Sequence, residues 1–175
     1  MTGFSLHPFP GQDSRGLAIH GTIERTERAI AISFLLQGNM NDIVLPTAPE
    51  PKRCDNLWQA TCFEMFWGEE GKTRYWELNL APTGAWNVYA FTDYRTEMRQ
   101  EERIAEPVIT TARTPDTFSL TAELEIANLH AAQSPLRIGI STVIQHQDNR
   151  LSYWALAHPA EKPDFHAPQT FLIRV

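Results

Sequence analysis

Cysteine is scarce in this chain. Cys54 and Cys62 are the only two, and they lack the C-x-x-C spacing that zinc or redox chemistry uses, so two free thiols are expected. No stretch approaches the roughly 20 apolar residues of a membrane-spanning helix. The opening "MTGFSLHPFPGQDS" has no basic start followed by an apolar run, so no secretory signal is predicted and a cytoplasmic location is expected, without membrane contact. Positive charge is in deficit, with 15 Lys and Arg against 21 Asp and Glu and a net charge of −6. Binding to a phosphate backbone draws on a basic surface, so nucleic acid is not an expected partner. There is no G-x-S-x-G element, and Cys62 falls mid-strand, which leaves Ser-His-Asp and Cys-His nucleophiles without a framework.

What the sequence does have is alternation. Hydrophobic residues at 42% and charged residues at 21% are ordinary for a folded chain. A period of two dominates over the helical 3.6, and it predicts strands over residues 17–24, 29–36, 41–46, 60–67, 74–80, 86–91, 104–111, 118–126, 136–145, 152–156 and 170–175. The proline-rich segment from Pro46 to Asn56 reads as a loop, because proline removes ladder donors. Residues 92–103 read as a polar loop carrying a turn of helix, and 126–131 as another such turn. With no internal repeat or composition break, residues 1–175 are expected to form a single all-β domain, an antiparallel sandwich or barrel.

Alternation also assigns faces. In "TCFEMFW" it sets Thr61, Phe63, Met65 and Trp67 opposite Cys62, Glu64 and Phe66, and in "RYWELNL" it sets Trp76, Leu78 and Leu80 opposite Tyr75, Glu77 and Asn79. If the two strands form a hairpin with their apolar rows together, paired residue numbers must sum to an odd value. Phe63, Met65, Trp76, Leu78 and Leu80 then enter the core, while Glu64, Tyr75, Glu77 and Asn79 share the other face. Rings beside carboxylates and amides suit a sugar: C–H faces stack on aromatics, and hydroxyl pairs need fixed acceptors and donors. The plain alternative is a face that meets water. Glu64 and Glu77 as acid and base of a glycosidase are a further alternative, which depends on a carboxyl separation that sequence does not give.

Two other groups remain open on sequence alone. Arg95 can clamp a ligand or pair with Glu101. His158, Asp164 and His166 can cap a loop through backbone hydrogen bonds, or meet a metal only if the loop folds back.

Three stretches, "LWQATCFEMFW", "YWELNLAPTGAWNVYAFTDYR" and "YWALAHPAEKPDFH", resemble the bacterial DOMON-like domain proteins, which are β-sandwiches related to the family 9 carbohydrate-binding modules. The similarity runs over residues 57–95 and 153–171. Its most specific part is W-x-x-T-C-F-E followed by N-x-(A/S)-P-x-G-x-W. The resemblance implies a jelly-roll-like sandwich of two antiparallel sheets whose concave face binds a sugar without catalysis or cofactor, or alternatively a haem. For a sugar it implies stacking tryptophans with acid, amide and arginine partners, drawn from Trp58, Glu64, Glu77, Asn79, Arg95 and Trp154. Tyr75 and His158 complete the candidate set. For a haem it implies a Met and a His as axial ligands, drawn from Met40, Met65, Met98, His158 and His166.

Overall fold

The alternating segments form antiparallel strands. A computed structural model describes residues 1–46, 50–131 and 133–175 of the chain. Its strands are β1 (Thr2–Pro8), β2 (Ala18–Arg25), β3 (Ala29–Gln37), β4 (Cys62–Glu69), β5 (Tyr75–Leu80), β6 (Trp86–Phe91), β7 (Arg99–Gln100), β8 (Val108–Arg113), β9 (Thr117–Glu125), β10 (Leu136–Gln145), β11 (Leu151–Ala155) and β12 (Ile173–Arg174). Among the described residues, two single 3-10 turns, Leu57–Gln59 and Pro168–Thr170, are the other regular elements.

Hydrogen bonding runs along one path, β7-β6-β5-β4-β10-β11-β1-β2-β3-β9-β8, with β12 attached to β10. The path curls over into two layers, as a β-sandwich does, and the apolar rows of both layers meet between them. Phe63 of β4 touches Phe34 of β3 and Phe118 of β9, with ring centroids 5.1 and 5.6 Å apart. β1 belongs to both layers: Thr2 to Leu6 pair with β2, and His7 and Pro8 pair with β11.

Register follows from sequence parity and one turn. Phe63 faces Leu80, Glu64 faces Asn79 and Met65 faces Leu78 across β4 and β5, the odd-sum register that the apolar rows demand. Phe63, Met65, Trp76, Leu78 and Leu80 are all buried in the interlayer core. Between β5 and β6 the chain turns at Gly84, whose φ of 86° suits a residue without Cβ, and the Gly84 amide donates to Ala81 O at 3.0 Å. That turn fixes Glu77 opposite Tyr89 and Asn79 opposite Asn87.

Some expectations are corrected. Residues 41–46 form no strand; Ile43 makes one bridge to His146, and Ile43 and Leu45 point into the core as the segment leaves toward Pro46. The loop expected from Pro46 to Asn56 includes Thr47, Ala48 and Pro49, which lie outside the described residues. β1 was not signalled, because "TGFSLHP" buries only Phe4 and Leu6. Residues 92–103 carry no helical turn and instead contribute β7, paired with Tyr89 and Ala90. Residues 126–131 form a turn in which the Leu129 and His130 amides both donate to Ile126 O. In 170–175 only Ile173–Arg174 is a strand, and the expected strand at 104–111 begins at Val108.

Candidate functional site

The second layer has an outer face as well as a core face, and chain parity decides what stands on it. β4 supplies Cys62, Glu64 and Phe66, β5 supplies Tyr75, Glu77 and Asn79, and β6 supplies Asn87, Tyr89 and Phe91 in register with them. β10 adds Ser141 opposite Glu64 and Val143 opposite Cys62, and β11 adds Tyr153 opposite Val143. This face is covered. The 3-10 turn at Leu57–Gln59 lies at one side, and residues 157–171 run across it with little regular structure. Gly139 makes that crossing possible, since a Cβ there would stand 2.8 Å from the Phe171 ring.

Beneath the cover is a cavity of about 460 Å³, a size suited to a small ligand. Trp58, Phe66, Phe91, Tyr153 and Phe165 give it aromatic walls, Glu64 and Glu77 reach it from the sheet, and Arg95, Met98 and His166 also line it. Glu64 and Glu77 are 2% and 5% exposed, so both acids sit almost wholly out of bulk water.

Each acid has one neutral partner. Ser141 Oγ donates to Glu64 Oε2 at 2.6 Å, and Asn79 Nδ2 donates to Glu77 Oε1 at 2.9 Å. Asn79 in turn accepts at 3.6 Å from the Cys62 thiol, which burial pushes well above the usual thiol range. Burial raises both carboxyls above the ordinary carboxylate range, and the Glu77 charge raises Glu64 further. The serine bond and Arg95 oppose this for Glu64, and the Asn79 bond and Arg95 oppose it for Glu77, without overcoming it.

The side wall is locked by a second network. Tyr75 Oη lies 2.8 Å from His166 Nδ1 and accepts the Arg95 amide proton at 3.1 Å. Burial, then Arg95, lower His166 to about 4, so its imidazole is neutral. His166 Nε2, on the other side of the ring, stands 3.8 Å from Glu77 Oε2. Asp164 accepts from Tyr94 Oη at 2.7 Å and from Arg95 Nη2 at 3.0 Å, bonds that tie residues 157–171 to the chain after β6.

The structure therefore brings Trp58, Glu64, Glu77 and Arg95 to one cavity. Tyr75 and Asn79 stand behind it, the first holding His166 and the second holding Glu77. Trp154 is elsewhere: the parity of β11 sends it into the core, where its Nε1 donates to Ser152 Oγ at 3.0 Å. Its neighbour Tyr153 takes the cavity position. His158 is also outside, bonded to His7 O at 2.9 Å and edge-on to Phe9. Arg95 pairs with Asp164, and Glu101 pairs with Arg103. Of the residues considered for haem, Met40 and Met65 are in the core, whereas Met98 and His166 line the cavity. Sequence reasoning missed Phe91, Tyr153 and Phe165 as lining residues, and it offered His166 only as a possible haem or metal ligand. The parity that placed Glu77 would also have found Phe91, which is in register with Tyr75.

No family model and no curated protein sequence matches the chain. Solved structures do match in fold. A candidate carbohydrate-binding protein from Bacteroides uniformis superposes with a TM-score of 0.68 at 15% identity, over 97% of this chain and 84% of that one. A family 9 carbohydrate-binding module from Caldicellulosiruptor kristjanssonii, in complex with cellotriose, matches at 0.56 and 11% identity, over 91% of this chain and 74% of the module. The same type of module from that organism in complex with glucose matches at 0.54 and 9% identity, over 86% and 72%. At such identities the likeness is one of fold, and the fold of this chain is the β-sandwich of carbohydrate-binding modules.

Proposed function

We propose that this chain is a non-catalytic binding domain of the DOMON-like and family 9 type, taking a carbohydrate or sugar derivative in the cavity beneath residues 157–171. One observation carries the reading. Two buried acids, each fixed by a neutral hydrogen-bond partner, face a space walled by aromatic rings. Rings offer flat apolar contact to the C–H face of a pyranose, and oriented acceptors discriminate among hydroxyl arrangements. The fold likeness to modules solved with glucose and cellotriose supports the same assignment. The reading requires no cofactor.

A thermal-shift screen over mono- and oligosaccharides, with haem included, identifies the ligand, since a bound molecule raises the melting temperature by mass action. Titration calorimetry then compares the parent with Glu77→Gln and Trp58→Ala. Loss of the charged acceptor at Glu77 should weaken binding about tenfold to a hundredfold, and loss of the ring should weaken it as well. Unchanged affinity in both variants would place the ligand elsewhere. Turnover of the bound sugar on prolonged incubation would instead make Glu64 and Glu77 a hydrolytic pair.

A further inference from the structure

The charge balance inside the cavity is one-sided. Glu64 and Glu77 bring two acids, and Arg95 is the cation that lines the space with them. The Arg95 guanidinium is already matched by Asp164 at 3.0 Å, and His166 is neutral. Ionised, the site would therefore hold two negative charges without a counter-charge of its own. Among the described residues no three His, Cys, Asp or Glu side chains come together as a metal site. The surroundings of the acids are instead aromatic: Trp58, Phe66, Phe91, Tyr153 and Phe165. Aromatic faces attract an organic cation through their quadrupole, and most strongly where water is excluded.

Building on the sugar-binding reading above, we infer that the preferred ligand carries a positive charge, as an amino sugar does, with its ammonium group set against Glu64 and Glu77 and its ring against the aromatic walls. An ammonium supplies three donors and the missing positive charge, whereas a neutral hydroxyl supplies one donor and no charge. The elevated proton affinity of both acids in the empty cavity has the same origin, the cost of burying unmatched negative charge.

The test uses matched pairs on the intact chain: glucose with glucosamine, galactose with galactosamine and mannose with mannosamine, each with its N-acetylated form. Calorimetry at neutral pH and low salt should find the amino sugar of at least one pair bound about tenfold to a hundredfold more tightly than its neutral parent. Acetylation, which removes the charge, should abolish that advantage. Glu64→Gln should close the gap between amino and neutral sugar, with Glu77→Gln as the second variant should the first fail to melt cooperatively. Neutral sugars binding as tightly as amino sugars in every pair would overturn the inference and leave the sugar-binding reading standing. A gap that persists in both variants would overturn the assignment of the ammonium to these acids. No binding by any pair in a parent that folds would overturn both readings.

Discussion

The two layers of this sandwich treat their outer faces differently. In the first layer β3 and β9 alternate in the ordinary way, with Ile30, Ile32, Phe34 and Leu36 inside and Ala31, Leu35, Thr121 and Glu123 exposed. In the second layer every residue of β5 and β6 is buried, the acids and amides included. A sheet with one wet face needs only polar side chains there. A sheet whose polar face is covered must satisfy each of those groups with a partner, and the Ser141–Glu64, Asn79–Glu77 and Asp55–Tyr89 bonds do so. Covering an acidic face costs stability, and that cost makes sense where the face has a ligand to meet.

The core face shared by both layers should give the largest effect. Leu78 is fully buried among the interlayer residues, and Leu78→Ala should cost about 2 to 5 kcal/mol in denaturant unfolding through the cavity it leaves. The covered face sharpens the contrast through pH. Glu64 and Glu77 bind their protons more tightly in the folded chain than in the unfolded one. Their contribution is most favourable below the unfolded carboxyl value of about 4.3 and is lost as the pH rises through their raised folded values. The double variant Glu64→Gln/Glu77→Gln should therefore gain stability relative to the parent as the pH is raised through neutral, measured by melting temperature in a buffer series. His166, lowered in the folded state, works in the opposite sense and is common to both proteins. The exposed face of the first layer gives the smallest effect. Thr121→Ala, on the outer side of β9, should shift unfolding by no more than about 0.5 kcal/mol. A larger loss would mean that this face, too, is covered by something.

Much of this arrangement was legible in the chain because β-strands have a period of two. The register of β4 on β5 and the common face of Glu64, Tyr75, Glu77 and Asn79 follow from where Trp76, Leu78 and Leu80 must go. Trp154 shows the limit of choosing by residue type: a tryptophan next to a tyrosine looks like a stacking ring, but Ser152 and Trp154 share a parity and Tyr153 has the other. Phe165 and His166 were not legible as lining residues, because the path of residues 157–171 is set by distant bonds, Asp164 to Tyr94 and Arg95, and His166 to Tyr75. Local sequence carries no period there to read.

The double membership of β1 has a kinetic consequence. Its first half zips onto β2, a near neighbour in sequence, whereas His7 must find Ala155, almost the whole length of the chain away. Closing such a long loop before its contacts repay the entropy makes for high contact order and slow folding. On the ribosome the first layer's opening meander, β1 to β3, can form early, but its junction with the second layer must wait until β11 has emerged. Until then β1 presents an unpaired edge at His7 and Pro8, and the proline, which lacks an amide donor, makes that edge a poor template for a strand from another chain.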